Sequence, residues 1–559
     1  MTIIKTLLCA INSKYIHSNL SVWCLAAGIE KYAPSVEYDV LECTINESYE
    51  QILSKIIACD FDMIGISTYI WNVELVLRLT NDIKKLKGST IILGGPEVSY
   101  NSIEILEQNP SVDYIISGEG EESFAQLVLT ANPKNIPGVT YRTSAEIVFN
   151  PERVCLDDPP SPYTKRYFES LNGRISYIET SRGCPFKCAF CLSGVSGGVR
   201  FFDEELSKRN IISLANSGSK TIKFVDRTFN ADKKRANRIF QFIIDSFGKE
   251  VPESVCFHFE IAGELIDDDT LETLEKAPKG LFQFEIGLQS FNEKTLEHIN
   301  RKTNIEKLSK NIEKLIALGN IHIHIDLIVG MSYENISSFA NSFNKALALN
   351  PNALQIGFLK LLHGAEMREN REKHVCQFSS RAPYEIIENP WLSAEELEKL
   401  HFLEDVFEKM YNSKRFPDTC RLVFSQIDDT FQYFYQMGIA YAGQKIPNNL
   451  DDFTKFVFDF TVAYTGIDKA LLRDKMALDR LSTNKMGCLP EFLKIHSPII
   501  KKELLLLDKN KETKRKKGVK RSATVLLTES KLAYVDYDTE DKIKKSYKIR
   551  EKVIQKDEN

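Results

Sequence analysis

No apolar run in these 559 residues approaches the roughly 20 that a bilayer-spanning helix needs. The opening stretch, MTIIKTLLCAINSKYIHSN, is apolar only briefly and lacks a small-residue cleavage site, so it reads as a first strand and not as a signal peptide. Neither sign of charge is much in excess. A formal net charge of −5 offers no bulk attraction to nucleic acid or to an anionic membrane, and neither is expected as a partner. The expected compartment is the cytoplasm, where thiols stay reduced and disulfides are rare. Twelve cysteines then mean buried small residues, or metal and redox chemistry, in place of a disulfide framework. Apolar residues at 43% and charged residues at 27% are ordinary for a globular protein. The length asks for about three or four domains.

The first of these spans residues 1–132. TIIKTLLCAI (2–11), SVEYDVLECT (35–44), FDMIGIST (61–68), STIILGGPEVS (89–99) and VDYIISGEGEESF (112–124) read as strands with their exit loops. Helical stretches at 19–33, 47–58 and 72–87 separate the earlier ones. Such alternation predicts an α/β fold that opens on a doubly wound parallel sheet. Ligands of these sheets sit beyond the carboxyl ends of the strands, where Gly94, Gly95, Gly118 and Gly120 lie. The glycines either make tight turns only or admit the close approach of a ligand. GIST, GGPEVS and GEGEESF at successive strand ends resemble the cobalamin-binding domain that precedes many radical S-adenosylmethionine enzymes. The resemblance implies a Rossmann-like domain with cobalamin against those four glycines. The cobalt-ligating motif Asp-x-His-x-x-Gly is absent: around His17, Tyr15 stands in the Asp place and Leu20 in the Gly place. His17 is therefore read as a polar residue near a helix start, and cobalamin is expected without a protein histidine on cobalt.

Residues 133–173, dense in Pro, Asn and Asp, read as a connector with a short hairpin around GVTYR and EIVFN. The strand RISYIETSRG (174–183) follows, and RGCPFKCAFCLSG (182–194) places Cys184, Cys188 and Cys191 directly after it. A structural zinc site closes with four ligands, usually in two pairs, and neither a second pair nor a His is in this loop. Three unrelated thiols are the other plain reading. Thiolates also suit a 4Fe–4S cluster, and three of them leave one iron open. The Cys-x-x-x-Cys-x-x-Cys spacing, with Phe190 before the last cysteine, resembles the radical S-adenosylmethionine superfamily. That resemblance implies that S-adenosylmethionine fills the open iron and is split by one electron into methionine and a 5′-deoxyadenosyl radical. It also implies anaerobic chemistry and an external electron donor such as flavodoxin or ferredoxin.

Five further strands, at 220–230, 255–265, 281–290, 321–331 and 352–364, complete six units of a partial (β/α)6 barrel over residues 174–370. Glu260, Gln289, Arg301 and Asp326 match positions that resemble S-adenosylmethionine contacts, and Phe190 joins them as cofactor-binding. Carboxylates and amides suit ribose hydroxyls and an ammonium, and Arg suits a carboxylate.

Residues 371–508 carry helical periodicity and are similar to an uncharacterised C-terminal domain of some cobalamin-binding radical enzymes. Residues 509–559 read as a charged tail: the basic run KNKETKRKKGVKR reads as a solvated linker in preference to an RNA contact, since it holds no aromatics, and the chain beyond Tyr537 is expected to fray. The expected function is a radical enzyme acting on a small molecule or peptide by methyl transfer, cyclisation or rearrangement. An RNA methylthiotransferase is one rival. It needs three N-terminal cysteines, and although Cys9 and Cys43 are present, LGGPEVS lacks the third. A non-catalytic corrinoid or iron–sulfur sensor is the other; it has no need of a site that splits S-adenosylmethionine.

Overall fold

Five β-rich runs build the first sheet: β1 (Lys5–Asn12), β2 (Glu37–Thr44), β3 (Met63–Ser67), β4 (Thr90–Gly94) and β5 (Tyr114–Ile116). Each pairs in parallel with its neighbours in the order β2-β1-β3-β4-β5. The computed structural model describes residues 4–58, 60–153, 155–193, 198–444, 449–484, 488–510 and 512–554. The intervening helices are α1 (Leu20–Tyr32), α2 (Tyr49–Ile57), α3 (Val73–Lys87), α4 (Pro96–Ser99), α5 (Ser102–Gln108) and α6 (Gly120–Thr130). Their ends are locally encoded. Asn19 caps α1, Ser48 and Gln51 close a capping box on α2, and Gly88 ends α3 with φ 70°. Alternate apolar residues, among them Leu7, Cys9, Ile64, Ile66, Ile91 and Leu93, bury one face under α2, α3 and α5. Each such side chain stabilises the fold by about 1.5–3 kcal/mol before entropy is counted.

The segment expected to be a mere connector extends this sheet. β6 (Val139–Arg142) and β7 (Ile147–Phe149) form the anticipated hairpin, and β6 pairs antiparallel with β5. The sheet is therefore parallel over five strands and antiparallel over two. The free edge of β5 offers unpaired N–H and C=O groups, and the hairpin satisfies them. A helix, Lys165–Leu171, completes the segment.

The chain divides into two compact units, one of Met1–Gly287, Glu293–Leu315 and Phe358–Pro390, the other of Leu288–Asn292, Ile316–Gly357 and Trp391–Asn559. In the first, β8 (Ser176–Ile178) enters a parallel sheet, while β9 (Ser181–Gly183) and β10 (Val199–Phe201) pair antiparallel beside it in sequence. β11 (Thr221–Phe224), β12 (Cys256–Ile261) and β13 (Phe282–Gln289) follow β8 in parallel order. Phe259, Phe282 and Phe284 turn outward and bury against Phe240 of the helix Lys233–Ser246, and Phe224 joins the same cluster through Phe257 and Phe259. The strand period of two then turns His258 and Glu260 to the opposite, inner face.

The second unit contains the remaining expected strands, β14 (His322–Val329) and β15 (Ala353–Phe358), and helices from Ala394–Phe407 to Pro498–Lys509. The fraying expected for the tail is not what residues 521–553 do. After the short β16 (Gln377–Phe378) and β17 (Ile386–Glu388) of the first unit, β18 (Arg521–Leu526), β19 (Lys531–Glu540) and β20 (Tyr547–Val553) form an antiparallel sheet. The high charge hides a central strand buried on both faces: Ala533 and Val535 of β19 pack with Leu526 toward Leu478 and Leu481, and Leu532 and Tyr534 pack toward Leu507. Arg521 is nearly buried and pairs with Asp536 at 2.6 Å. The last five residues of the expected tail, 555–559, lie outside the described residues.

Candidate functional site

The cysteine loop is held from three sides. Asp226, fully buried beyond β11, accepts hydrogen bonds from the Thr180 N–H at 3.0 Å, the Thr180 hydroxyl at 2.7 Å and the Ser181 hydroxyl at 2.6 Å. These fix the entry to β9. Midway, the Ala189 N–H donates to the Ile299 carbonyl and the Met367 N–H donates to the Ala189 carbonyl, both at 2.9 Å. The sulfurs are engaged singly: Cys184 Sγ meets Thr228 Oγ1 at 3.3 Å, and the Ser193 N–H donates to Cys191 Sγ at 3.4 Å. Arg301, predicted as a cofactor contact, donates through Nη1 to Cys188 Sγ at 3.7 Å and through Nη2 to the Gly287 carbonyl.

Burial pushes the Cys188 thiol up, Arg301 opposes it, and Cys191 and Cys184 add to it, so the three thiols share one neighbourhood. Among the described residues no three His, Cys, Asp or Glu side chains converge as ligands of a single ion. Three soft sulfur donors on a loop with a cation beside them fit a multi-iron cluster, whose thiolates bind separate irons. Phe190 is half-buried in the same loop.

Next to this loop lies a cavity of about 800 Å³, at the large end for small-molecule sites. Gly94, Gly95, Gly118 and Gly120 all line it, beside Tyr69 and Trp71 at the β3 exit. Its remaining wall includes Tyr177 of β8, Glu179 just after it, Arg182 of β9, Arg227 beyond β11, and Leu192 and Ser193 from the cysteine loop. Gly95 has φ 111°, and a Cβ there would lie 2.4 Å from the Thr68 carbonyl oxygen. Gly118 has φ 72°. Turn geometry alone thus demands these two glycines, and the same turns keep side chains off the cavity wall. The stacked rings of Tyr69 and Trp71, 4.4 Å between centroids, give the cavity a flat aromatic edge. A large cavity with bare backbone and an aromatic edge fits a bulky, flat cofactor. His17 also lines it and sits before α1, as expected; its Nδ1 is 2.6 Å from the Tyr177 hydroxyl.

Glu260 is half-buried on the inner face of β12, in register with Glu285. Gln289 and Asp326 belong to the second unit. Gln289 is 9% exposed with φ 74°, rare for a residue with a side chain, and its Oε1 has no hydrogen-bond partner among the described residues. Strained backbone and a buried acceptor of this kind make Gln289 a candidate site residue. Asp326 lies 3.1 Å from His324 Nε2.

Sequence reasoning missed Asp226, Thr228 and a cluster of charge. Arg182 pairs with Glu119, Glu121 and Glu179. Burial pushes Glu179 up; at Glu121 burial acts the same way, but Arg182 outweighs it and holds the carboxyl below its usual range. The signal was legible: an acidic pair at one strand exit and an arginine two residues before the first cysteine.

Three family models match the chain. They are the B12 binding domain over residues 7–128, the Radical SAM superfamily over 178–346, and a protein of unknown function over 372–554. The last runs across both the helices and the C-terminal sheet. Among curated relatives, the 2-(S-pantetheinyl)-carbapenam-3-carboxylate methyltransferase of Streptantibioticus cattleyicolor is 26% identical over 52% of this chain and 45% of its own. The anaerobic magnesium-protoporphyrin IX monomethyl ester cyclase of Rubrivivax gelatinosus is 22% identical over 54% of this chain and 57% of its own. The chain thus spans about half the length of the curated relatives it matches. Among solved structures, the cobalamin-dependent S-adenosylmethionine radical enzyme OxsB, with aqua-cobalamin and S-adenosylmethionine bound, superposes with a TM-score of 0.61 at 14% identity. That match covers 85% of this chain and 78% of OxsB, and it establishes a shared fold. No helix among the described residues is long and apolar enough to cross a membrane.

Proposed function

We propose, for a chain that belongs to the cobalamin-binding radical S-adenosylmethionine proteins, a radical methyl transfer to an unactivated carbon of a small molecule or peptide. The observation that carries the reading is the single cavity lined both by the glycine-bearing strand exits of the B12 binding domain and by the cysteine loop. When bound, the 4Fe–4S cluster with S-adenosylmethionine supplies a 5′-deoxyadenosyl radical, and cobalamin supplies the methyl group. Cys184, Cys188 and Cys191 would hold the cluster. Arg301, already reaching Cys188, would hold a carboxylate beside it. Gln289, with its orphaned acceptor, would take a hydroxyl or ammonium, and the carboxylates of Glu260 and Asp326 each suit the same kinds of group. Phe190 would pack against the cofactor from within the loop. Gly94, Gly95, Gly118 and Gly120 would let cobalamin lie against bare backbone. Tyr69, Trp71 and Tyr177 would exclude water from the reacting centre. The reading carries with it a cytoplasmic, oxygen-free setting and an external donor such as flavodoxin or ferredoxin.

The test is product counting with reduced, anaerobically reconstituted full-length protein and a cell extract as the source of substrate. Methyl transfer yields deoxyadenosine and S-adenosylhomocysteine in matched amounts. Deoxyadenosine without S-adenosylhomocysteine, while substrate is consumed, overturns methylation and favours the cyclisation that the cyclase relative performs.

A further inference from the structure

Two of the three carboxylates of GEGEES, Glu119 and Glu121, are not used by the cofactors proposed above. Glu119 lies between Gly118 and Gly120, both on the cavity wall, and Glu121 follows in the first turn of α6. One guanidinium takes both. Arg182 Nη1 is 2.6 Å from Glu119 Oε2, and Arg182 Nη2 is 2.5 Å from Glu121 Oε1. Its Nε donates to Glu179 at 2.9 Å. Arg200, opposite Arg182 in the β9–β10 pair, adds a contact to Glu119 at 2.8 Å. The Arg182 and Glu121 side chains are only 20% and 8% exposed, so solvent screens little of this network. Arg182 stands two residues before Cys184. The same four residues therefore line the cavity, carboxylates included, and those carboxylates also grip the strand entering the cysteine loop.

We infer that the Arg182–Glu119–Glu121 network is a positioning device that couples occupancy of the cavity to the conformation of the cysteine loop. A ligand that fixes residues 118–121 fixes β9 and the cysteines behind it, and a cluster on the cysteines tightens the cavity. The inference rests on the reading above, that the cavity takes cobalamin and the loop a cluster. Linkage makes the effect reciprocal, so it can be read from binding alone. The protein contains its own control. Arg174 and Glu42 form a pair of similar burial, 12% and 8% exposed at 2.8 Å, in the same unit. Neither residue lines the cavity, and neither adjoins Cys184, Cys188 or Cys191 in the chain.

The experiment is an absorbance titration of full-length protein with hydroxocobalamin, with and without the reconstituted cluster. For the wild type, cluster loading is expected to tighten cobalamin binding by about tenfold, within the usual range of coupling between sites. In Glu119→Gln/Glu121→Gln the ratio is expected to fall to about one, whatever the absolute affinities. Arg182→Lys keeps the charge but loses the planar fork and is expected to retain part of the ratio. Glu42→Gln is expected to lower the melting temperature and leave the ratio intact, which separates coupling from bracing. If the double variant does not fold, Glu119→Gln alone, at the more exposed end of the network, carries the test and must reduce the ratio. Cobalamin uptake with a ratio of one in the wild type, or an unchanged ratio in the Glu119 and Glu121 variants, overturns the inference alone. No uptake in either state overturns the reading of the cavity and the inference with it.

Discussion

Replacing Asp226 with Ala tests how the cysteine loop is built. The carboxylate is fully buried and accepts from two hydroxyls and one backbone N–H. Arg235 packs close by, its Nη2 donating to the Thr180 carbonyl at 3.1 Å. In Asp226→Ala the three donors lose their acceptor and Arg235 loses its neighbouring charge. Each buried donor left unpaired costs about 1–3 kcal/mol, and local relaxation recovers part, so the site as a whole loses about 4 kcal/mol. At roughly 2–4 °C per kcal/mol for a unit of this size, the melting temperature falls by about 10 °C. Asp226→Asn is milder. It keeps one acceptor oxygen, and it removes a charge that burial disfavours, since burial pushes the Asp226 carboxyl up against the pull of Ser181, Thr180 and Arg235. Residues 180 and 181 lead into β9, so both variants are also expected to bind less iron after reconstitution, Ala more severely than Asn. Calorimetry of the cluster-free protein gives the first quantity, and iron and sulfide analysis the second. An Asp226→Ala protein that melts within about 2 °C of wild type refutes the reasoning, because the donors would then have found other partners.

Gly28→Ala in α1 places a Cβ 2.1 Å from the Glu121 carbonyl oxygen, so α1 and α6 must part, at about 1–3 kcal/mol or more. Gly443→Ala meets only ordinary contact at 3.5 Å and serves as the control in the same thermal melts; equal losses in the two would count against the packing argument. Burial pushes Glu334 up to about 7 against hydrogen bonds from Ser290 and Ser342. Its folded pKa is raised, so the stability it lends is complete below about 4.5 and is lost as pH rises to about 7, some 3 kcal/mol in all. Glu334→Gln is expected to flatten the stability profile between those limits, and an unchanged slope in urea titrations across pH would discard the assignment. Cys188→Ala is expected to abolish cluster loading, read as iron and sulfide after anaerobic reconstitution; four retained irons would show that the cluster is held elsewhere.

The cysteine spacing, the strand–helix alternation and the glycines at strand exits were legible in the chain, because each is a relation between residues a few positions apart. Strand period, helix caps and turn conformations are local, and local chemistry is written in order along the sequence. The C-terminal sheet was missed for a related reason. Its central strand is a short apolar run set among charges, and it becomes stable only once Leu478 and Leu481 cover one face and Leu507 the other. Which distant residues meet is fixed by the folded chain alone. Arg182 finds Glu121 across 61 positions, Arg301 finds Cys188 across 113, and Asp226 reaches back 46 to organise the turn before the cysteines. No local period encodes such pairings. They follow from the parallel order of strands that brings their carboxyl ends to one edge, and burial at that edge makes each unpaired charge or donor costly enough to select a partner.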